Sequence, residues 1–359
     1  MPNDVTDSPQ AAVLIGRFQP FHAGHLALLR QALDAAAPAG TVVIVIGSAF
    51  QARTPKNPFT WTERAEMIRL AVPEAEHARL RFLPLRDHYD EARWVAAARA
   101  GVEHLLGAGA HGTQAPVLVG FRKDATSDYL RRFPGWQLAQ PATPLPGADG
   151  TALRDMLFRS ADPDLPDALA AGVDVLPDTT RRFLLAWSRL PFLPALREEW
   201  AMLQAYRQAW AAAPYAPMFI TVDAVVQCAG HVLLVQRGQA PGRGLWAVPG
   251  GFLEARETLW QSALRELEEE THLHLLEDAM RRALREVAVF DHPDRSQRGR
   301  TVTHAHHFDL GDRELPDVRA DDDAAAAQWV PIATLAAMED RFFDDHFHML
   351  DHFLHLTSD

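Results

Sequence analysis

Cysteine is almost missing from this chain. Cys228 stands alone among 359 residues, which excludes an intrachain disulfide framework and argues against a cysteine-built metal centre. Long apolar runs are missing too. No stretch of about 18 apolar residues occurs, so no segment is expected to span a membrane. The opening residues MPNDVTDSPQ hold neither a cationic nor an apolar stretch, so no signal peptide is expected there. Positive charge is in deficit: 35 Lys and Arg face 47 Asp and Glu, for a formal net charge of −12. Nucleic-acid-binding surfaces show as basic patches, so no nucleic-acid partner is expected. Small anionic ligands stay open, because a local cluster of Arg and His can override the global field. A soluble, cytoplasmic protein is the expectation. A homo-oligomer is compatible with the sequence.

Apolar residues are plentiful. At 48% of the chain they suffice for two ordinary cores, and the length points to two domains. From residue 11, strand-like and helix-like segments alternate. AAVLIG, TVVIVIGSA, RLRFLPLRD, APVLVGF and GWQLAQ read as strands. The residues from His25 to Ala36, and the segments WTERAEMIRLAV, ARWVAAARAGVEHLL and GTALRDMLFR, read as helices. This alternation predicts an α/β fold with a parallel sheet covered by helices on both faces, with ligands at the carboxyl ends of the strands. The expected boundaries are a first domain over residues 11–172, a helical connector over 173–215 interrupted at Pro191 and Pro194, and a strand-rich second domain over 216–359.

GRFQPFHAGH, from Gly16 to His25, joins the first strand to the first helix. Free N–H groups and the positive end of the dipole make such a helix start an anion site. Gly16 and Gly24 permit close backbone approach, and His22 and His25 can add donors to phosphate oxygens. A bare His-x-Gly-His can equally be a capped turn. With its flanks, the stretch resembles the HxGH nucleotidyltransferase superfamily, and more narrowly the nicotinamide mononucleotide (NMN) adenylyltransferases. TPKNPFTWTERAEMIR (Thr54 to Arg69), DHYDEARWV (Asp87 to Val95), GFRKDATSDYLRRFPGW and GTALR (Gly150 to Arg154) are similar to further segments of that family. Asp149 stands where the family's last motif carries Ser. The resemblance implies adenylyl transfer from ATP to NMN, giving NAD and pyrophosphate. It places His22 and His25 on the ATP phosphates and Arg154 on the β/γ phosphates. Gly16, Arg17, Phe18, Gly24, Lys123 and Thr151 become candidate substrate contacts. Asp87 and Trp94 become candidates for the nicotinamide, with a helix-core role as the other reading of Trp94.

A second constellation lies at GGFLEARETLWQSALRELEEETHL, Gly250 to Leu273. Glu266, Glu269 and Glu270 are spaced i, i+3, i+4, which places three carboxylates on one helix face. Such a face is either solvated or gathered around hard cations such as Mg²⁺. Gly251, Glu257, Arg265, Glu266, Leu267, Glu269, Glu270 and Leu273 match the Nudix box, with His272 in place of its last Gly. That position just past the helix favours φ > 0, so His272 is expected to cost roughly 1 kcal/mol or to shift the turn. The resemblance implies a Nudix α/β/α sandwich that hydrolyses a nucleoside diphosphate. Glu266, Glu269 and Glu270 would hold Mg²⁺ (or Mn²⁺), and one of these carboxylates, or the cation they hold, would activate water. Gly251, Arg295, Arg298 and Arg300 are candidate substrate contacts. The loop with Asp291 and these arginines is similar to loops of Nudix domains acting on ADP-ribose, and it can equally be a charged, solvated hairpin. His292, His304, His306 and His307 are expected at the surface.

Both motifs in this order resemble the bifunctional NMN adenylyltransferase/Nudix hydrolases, over about residues 11 to 355. The resemblance implies ATP, NMN, NAD and ADP-ribose as ligands, with ADP-ribose cleaved to AMP and ribose 5-phosphate. A Nudix half that only senses ADP-ribose, or that acts on another nucleoside diphosphate, is the alternative.

Overall fold

The computed structural model describes residues 11–107, 115–121, 129–141, 149–160, 162–321 and 324–357. The chain divides into two compact units, Met1–Leu196 and Arg197–Asp359.

The first unit is a five-stranded parallel sheet. Its strands are β1 (Ala11–Gly16), β2 (Thr41–Ile46), β3 (Leu80–Pro84), β4 (Val117–Val119) and β5 (Gln137–Ala139), in the order β3-β2-β1-β4-β5. The apolar runs of β1 and β2 are buried on both faces, as a parallel sheet requires. Val13, Ile15, Val43 and Val45 pack under Val95, Ala98 and Val102 of α3 (Glu91–Leu106). The alternate residues Leu14 and Ile44, also fully buried, belong to the other face, where α1 (Ala23–Ala35) and α2 (Trp61–Leu70) meet β1 and β2. Strand order reverses at β1, between β2 and β4, and the crevice at its carboxyl end is where such sheets bind ligands.

Then come α4 (Gly150–Arg159), α5 (Leu165–Ala171), α6 (Asp178–Trp187) and α7 (Leu193–Ala209). Pro191 falls between α6 and α7, but Pro194 does not interrupt the helix. It occupies the first turn, where no N–H is needed. The boundary between the two units lies inside α7, within the segment expected as the connector.

The second unit is a mixed sheet. Strands β6 (Met218–Cys228), β7 (His231–Arg237), β10 (Leu284–Phe290), β11 (Arg300–Asp309) and β12 (Ala324–Pro331) run in the order β10-β11-β6-β7-β12, with β8 (Trp246–Ala247) on β7 and β9 (Gly250–Phe252) on β6. Alternate residues of β6 serve two cores. Ala224 and Val226 face Leu267 of α8 (Leu259–Thr271) and Met280 of α9 (Glu277–Ala283). Val225 faces Phe347 and Leu350 of α10 (His346–Leu354). A sheet between helices on each side is the expected α/β/α sandwich. Among the described residues, no helix is long and apolar enough to cross a membrane.

One glycine checks the packing of the second unit. Gly242 has φ +76, and a Cβ there would overlap the ring of Phe343, which is 2% exposed. Gly242→Ala should therefore destabilise the second unit by about 2–4 kcal/mol, the sum of left-handed strain and overpacking. Chemical denaturation should show the loss, with the first unit's transition unchanged.

Candidate active sites

At the carboxyl end of β1 the chain turns through Arg17 and Phe18 into α1. His22 is the N-cap of α1, and the cap is reciprocal. His25 N donates to His22 Nδ1 and His22 N donates to His25 Nδ1, both at 3.4 Å. With both Nδ1 atoms accepting, each neutral ring carries its proton on Nε2. The rings stack at 3.6 Å between centroids. Phe18, 1% exposed and left-handed at φ 53, meets His25 edge-on at 4.9 Å and forms a wall behind it. Burial, with His22 beside it, holds His25 well below the ordinary imidazole pKa. Gly16 ends β1 and Gly24 lies in the first turn of α1.

Two helix starts are tied to this loop. Gln19 donates from Nε2 to Phe59 O at 2.9 Å and accepts from Phe59 N at 3.0 Å, which locks the loop to the segment entering α2. Arg154 of α4 donates to Gln19 O at 2.6 Å and to Thr151 Oγ1 at 3.1 Å. Burial, with Arg17 nearby, lowers the Arg154 pKa to about 10. Asp149 is the N-cap of α4 and accepts from Thr151 N at 2.7 Å, so this acid satisfies a helix donor as Ser would. His22, His25 and Arg154 therefore surround one loop. Arg17 is exposed beside it.

The proposed nicotinamide residues are engaged with protein. Asp87 accepts from Ser48 N and Gln51 Nε2, each at 3.1 Å. Trp94 packs edge-on against Tyr129 and Phe133 at 5.3 and 6.3 Å, within the cluster beneath α3. Lys123 lies outside the described residues.

In the second unit, α8 begins with a capping box between Thr258 and Gln261. Its acidic face is organised by Arg265, which bonds Glu257 at 2.9 and 3.0 Å, Glu266 at 2.9 Å and Glu269 at 2.8 Å. These hydrogen bonds raise the guanidinium pKa above its ordinary value. A cavity of about 300 Å³ opens beside the helix, with Glu254, Glu266, Glu270, Arg295, Arg298 and Asp344 in its walls. Glu270, 6% exposed, accepts from Gly250 N at 3.0 Å. Gly251 has no room for a Cβ, which would overlap the Glu266 carboxylate. Of the three spaced carboxylates, Glu266 and Glu270 line the cavity, and Glu269 turns to Arg265. Among the described residues no group of three or more His, Cys, Asp or Glu is gathered as a metal cage. Two hard-oxygen carboxylates on a cavity wall still fit Mg²⁺ or Mn²⁺, since Mg²⁺ is commonly bound by one or two carboxylates plus substrate phosphates.

His272 takes the left-handed conformation at φ 51, ψ 26, so the box's turn is kept rather than shifted. Its Nε2 lies 2.6 Å from Asp321 Oδ2, a contact that helps offset the strain.

The three arginines of the following loop separate. Arg298 lines the cavity, with its guanidinium 4.9 Å from the Phe252 ring. Arg295 also reaches the wall, but it is 6% exposed and forked onto Asp345 by two bonds of 2.8 Å. Arg300 turns back to the Asp291 carbonyl, away from the cavity. His306 and His307 are not surface residues as expected; they are 4% and 9% exposed. β11 is an interior strand with helices on both sides, and desolvation holds both imidazoles below their ordinary pKa.

Comparison with known proteins follows this division. A cytidylyltransferase-like model matches residues 13–93 and a NUDIX domain model matches residues 218–353. The crystal structure of a bifunctional NMN adenylyltransferase/ADP-ribose pyrophosphatase from Francisella tularensis, in complex with AMP and a manganese ion, is similar with a TM-score of 0.84. The identity is 33%, over 97% of this chain and 99% of that one. This chain belongs to that bifunctional family. A nicotinamide/nicotinic acid mononucleotide adenylyltransferase from Acinetobacter baylyi is 33% identical over 41% of this chain and 74% of its own length. An ADP-ribose pyrophosphatase from Methanocaldococcus jannaschii is 31% identical over 32% of this chain and 63% of its own length. The manganese ion of the Francisella structure accords with a divalent-metal requirement in the NUDIX half.

Sequence reasoning on this family member missed Gln19, Glu254 and Asp344, and gave no role to Arg64. The last is the largest fully buried side chain among the described residues.

Arg295→Met should destabilise the second unit by about 3–5 kcal/mol, because it strands a buried Asp345 carboxylate. Arg298→Met should leave the denaturation midpoint nearly unchanged. Equal losses would show that Arg295 is no more structural than its neighbour. For His25, the folded pKa lies below the unfolded value near 6.5, so the folded state binds fewer protons in acid. The His25 contribution to stability is present above that unfolded value and is lost as pH falls through the folded one. The melting midpoint of the wild type relative to His25→Asn should therefore drop between about pH 7.5 and about pH 5. Parallel curves would contradict the assignment.

Proposed function

We propose that the first domain, residues 11–172, transfers an adenylyl group from ATP to NMN, and that the second, residues 216–359, hydrolyses ADP-ribose, with residues 173–215 as connector. The observation that carries this reading is the pairing of two complementary phosphate sites in one chain. One offers donors at the end of β1, and the other lines a single cavity with carboxylates and the arginines Arg295 and Arg298.

In the transfer, a 5′-phosphate oxygen of NMN attacks the α-phosphorus of ATP. The bond from that phosphorus to the bridging oxygen breaks, and pyrophosphate leaves. Such reactions need positioning and charge stabilisation more than covalent help. His22 and His25 present Nε2–H donors, and Arg154 and Arg17 add positive charge for the departing phosphates. Lys123 and Thr151 are further phosphate contacts in this reading. Asp87 and Trp94 shape the nicotinamide side, Asp87 through the Ser48 and Gln51 bonds it already makes.

In the hydrolysis, water attacks a phosphorus of ADP-ribose, the bridging P–O bond breaks, and AMP and ribose 5-phosphate form. Glu266 and Glu270, joined by Glu269, would hold Mg²⁺ (or Mn²⁺), which supplies positive charge to the diphosphate and acidifies water. Arg298 and the Arg295 edge of the cavity meet the diphosphate or ribose. Arg300 supports the hairpin.

Glu269→Gln combined with Glu270→Gln should cut ADP-ribose hydrolysis at least roughly 100-fold, since even outer-shell changes cost 10–100-fold, and should spare NAD formation. Chromatography of AMP and NAD from the full chain checks both at once. Joint loss of the two activities would refute separate sites.

A further inference from the structure

Arg64 has no assigned role, yet its guanidinium is buried and makes four hydrogen bonds. It is 1% exposed. Its Nε donates to Thr60 O at 3.2 Å, Nη1 to Arg17 O and Gly47 O at 2.7 Å each, and Nη2 to Ser48 O at 3.0 Å. All four acceptors are backbone carbonyls. Asp87 and Glu63 favour the charge from a distance, Arg17 opposes it, and burial outweighs them, lowering the pKa to about 10. A cation buried among carbonyls is a poor way to stabilise a core, and apolar residues of similar volume often do better.

What the guanidinium does gain is control of two loops. Arg17 and Gly47 directly follow the ends of β1 and β2. Each loop contains a residue in the left-handed region: Phe18 at φ 53, whose peptide begins at the Arg17 carbonyl, and Ser48 at φ 49. Neither is glycine, so each conformation needs an external clamp. Arg64 clamps both. Ser48 is held from the other side as well, because its N–H donates to Asp87. The loop after β1 carries His22 into the cap of α1, so one buried fork fixes the phosphate end of the site to the Asp87 end.

We propose that Arg64 is a positioning residue for adenylyl transfer: it sets the Arg17–His22 loop against the Ser48–Asp87 loop and touches no substrate. This rests on reading the first domain as the transferase. A lysine can place three donors around a single nitrogen but cannot span the fork.

The test uses the full chain with Arg64→Lys and Arg64→Met. NAD formation from NMN and ATP gives kcat and both KM values per folded molecule, with the folded fraction read from circular dichroism. ADP-ribose hydrolysis by the same samples is the internal control. Arg64→Met should lower kcat about 100-fold or more, with both KM values within about fivefold, as expected for misplaced reacting groups. Arg64→Lys should recover part of the loss, and hydrolysis should not change. The proposal is overturned if Arg64→Lys keeps wild-type kcat, or if the whole loss equals the loss of folded protein. Should Arg64→Met fail to fold, Arg64→Lys decides by the same criteria. An inactive wild type would overturn the transferase reading and the proposal together, whereas an active wild type with equally active variants would overturn the proposal alone.

Discussion

Guanidinium groups taken out of water hold both sites in place. In the first unit Arg64 gathers four carbonyls from the segments around β1, β2 and α2. In the second, Arg295 forks onto Asp345, and both side chains are at or below 5% exposed. Nearer the surface, Arg265 joins Glu257, Glu266 and Glu269. The planar fork suits this work, because its donors diverge in fixed directions and can meet several oxygens without further ordering. Each such group ties a loop to its neighbours through side-chain hydrogen bonds. The cost is desolvation, and it is tolerable only because nearly every donor finds an acceptor.

Much of the architecture was legible because periodicity reports burial. All five parallel strands and the covering helices of the first unit follow from apolar runs alternating with helical stripes. The start of α1 was less legible. It was expected at His25 but lies at Ala23, because its cap is made by histidines rather than by Ser, Thr or Asp. A proline in mid-pattern usually breaks a helix, whereas Pro194 sits in the first turn of a new one. The left-handed turn at His272 was legible, since the box places it just past a helix end.

The supporting residues were not legible, and distance along the chain explains why. Arg64 meets Arg17 across 47 positions and Arg295 meets Asp345 across 50. Motif spacing reports residues that share a helix or a turn. It says nothing about partners brought together by a sheet crossover. Arg295 was therefore grouped with Arg298 and Arg300 as one basic loop, although the three side chains take three different directions. His306 and His307 were placed at the surface for a related reason. Polar residues on a strand read as exposed until it is known that the strand has neighbours on both edges and helices on both faces.

The two sites meet the same phosphate chemistry with opposite charge. Around α1 the protein provides the positive charge itself. Burial lowers the Arg154 pKa to about 10, which leaves it cationic, and holds His25 well below its ordinary value, as a neutral donor. Around α8 the surplus is negative. Burial raises Asp223 and Asp344 to about 6, against the pull of Arg295 and Arg298, and Glu254, Glu266 and Glu270 share the same cavity. A diphosphate cannot approach that wall unless positive charge comes with it. On the proposed reading, a chain with a formal charge of −12 would bind nucleotide anions twice, once with its own cations and once with a borrowed one.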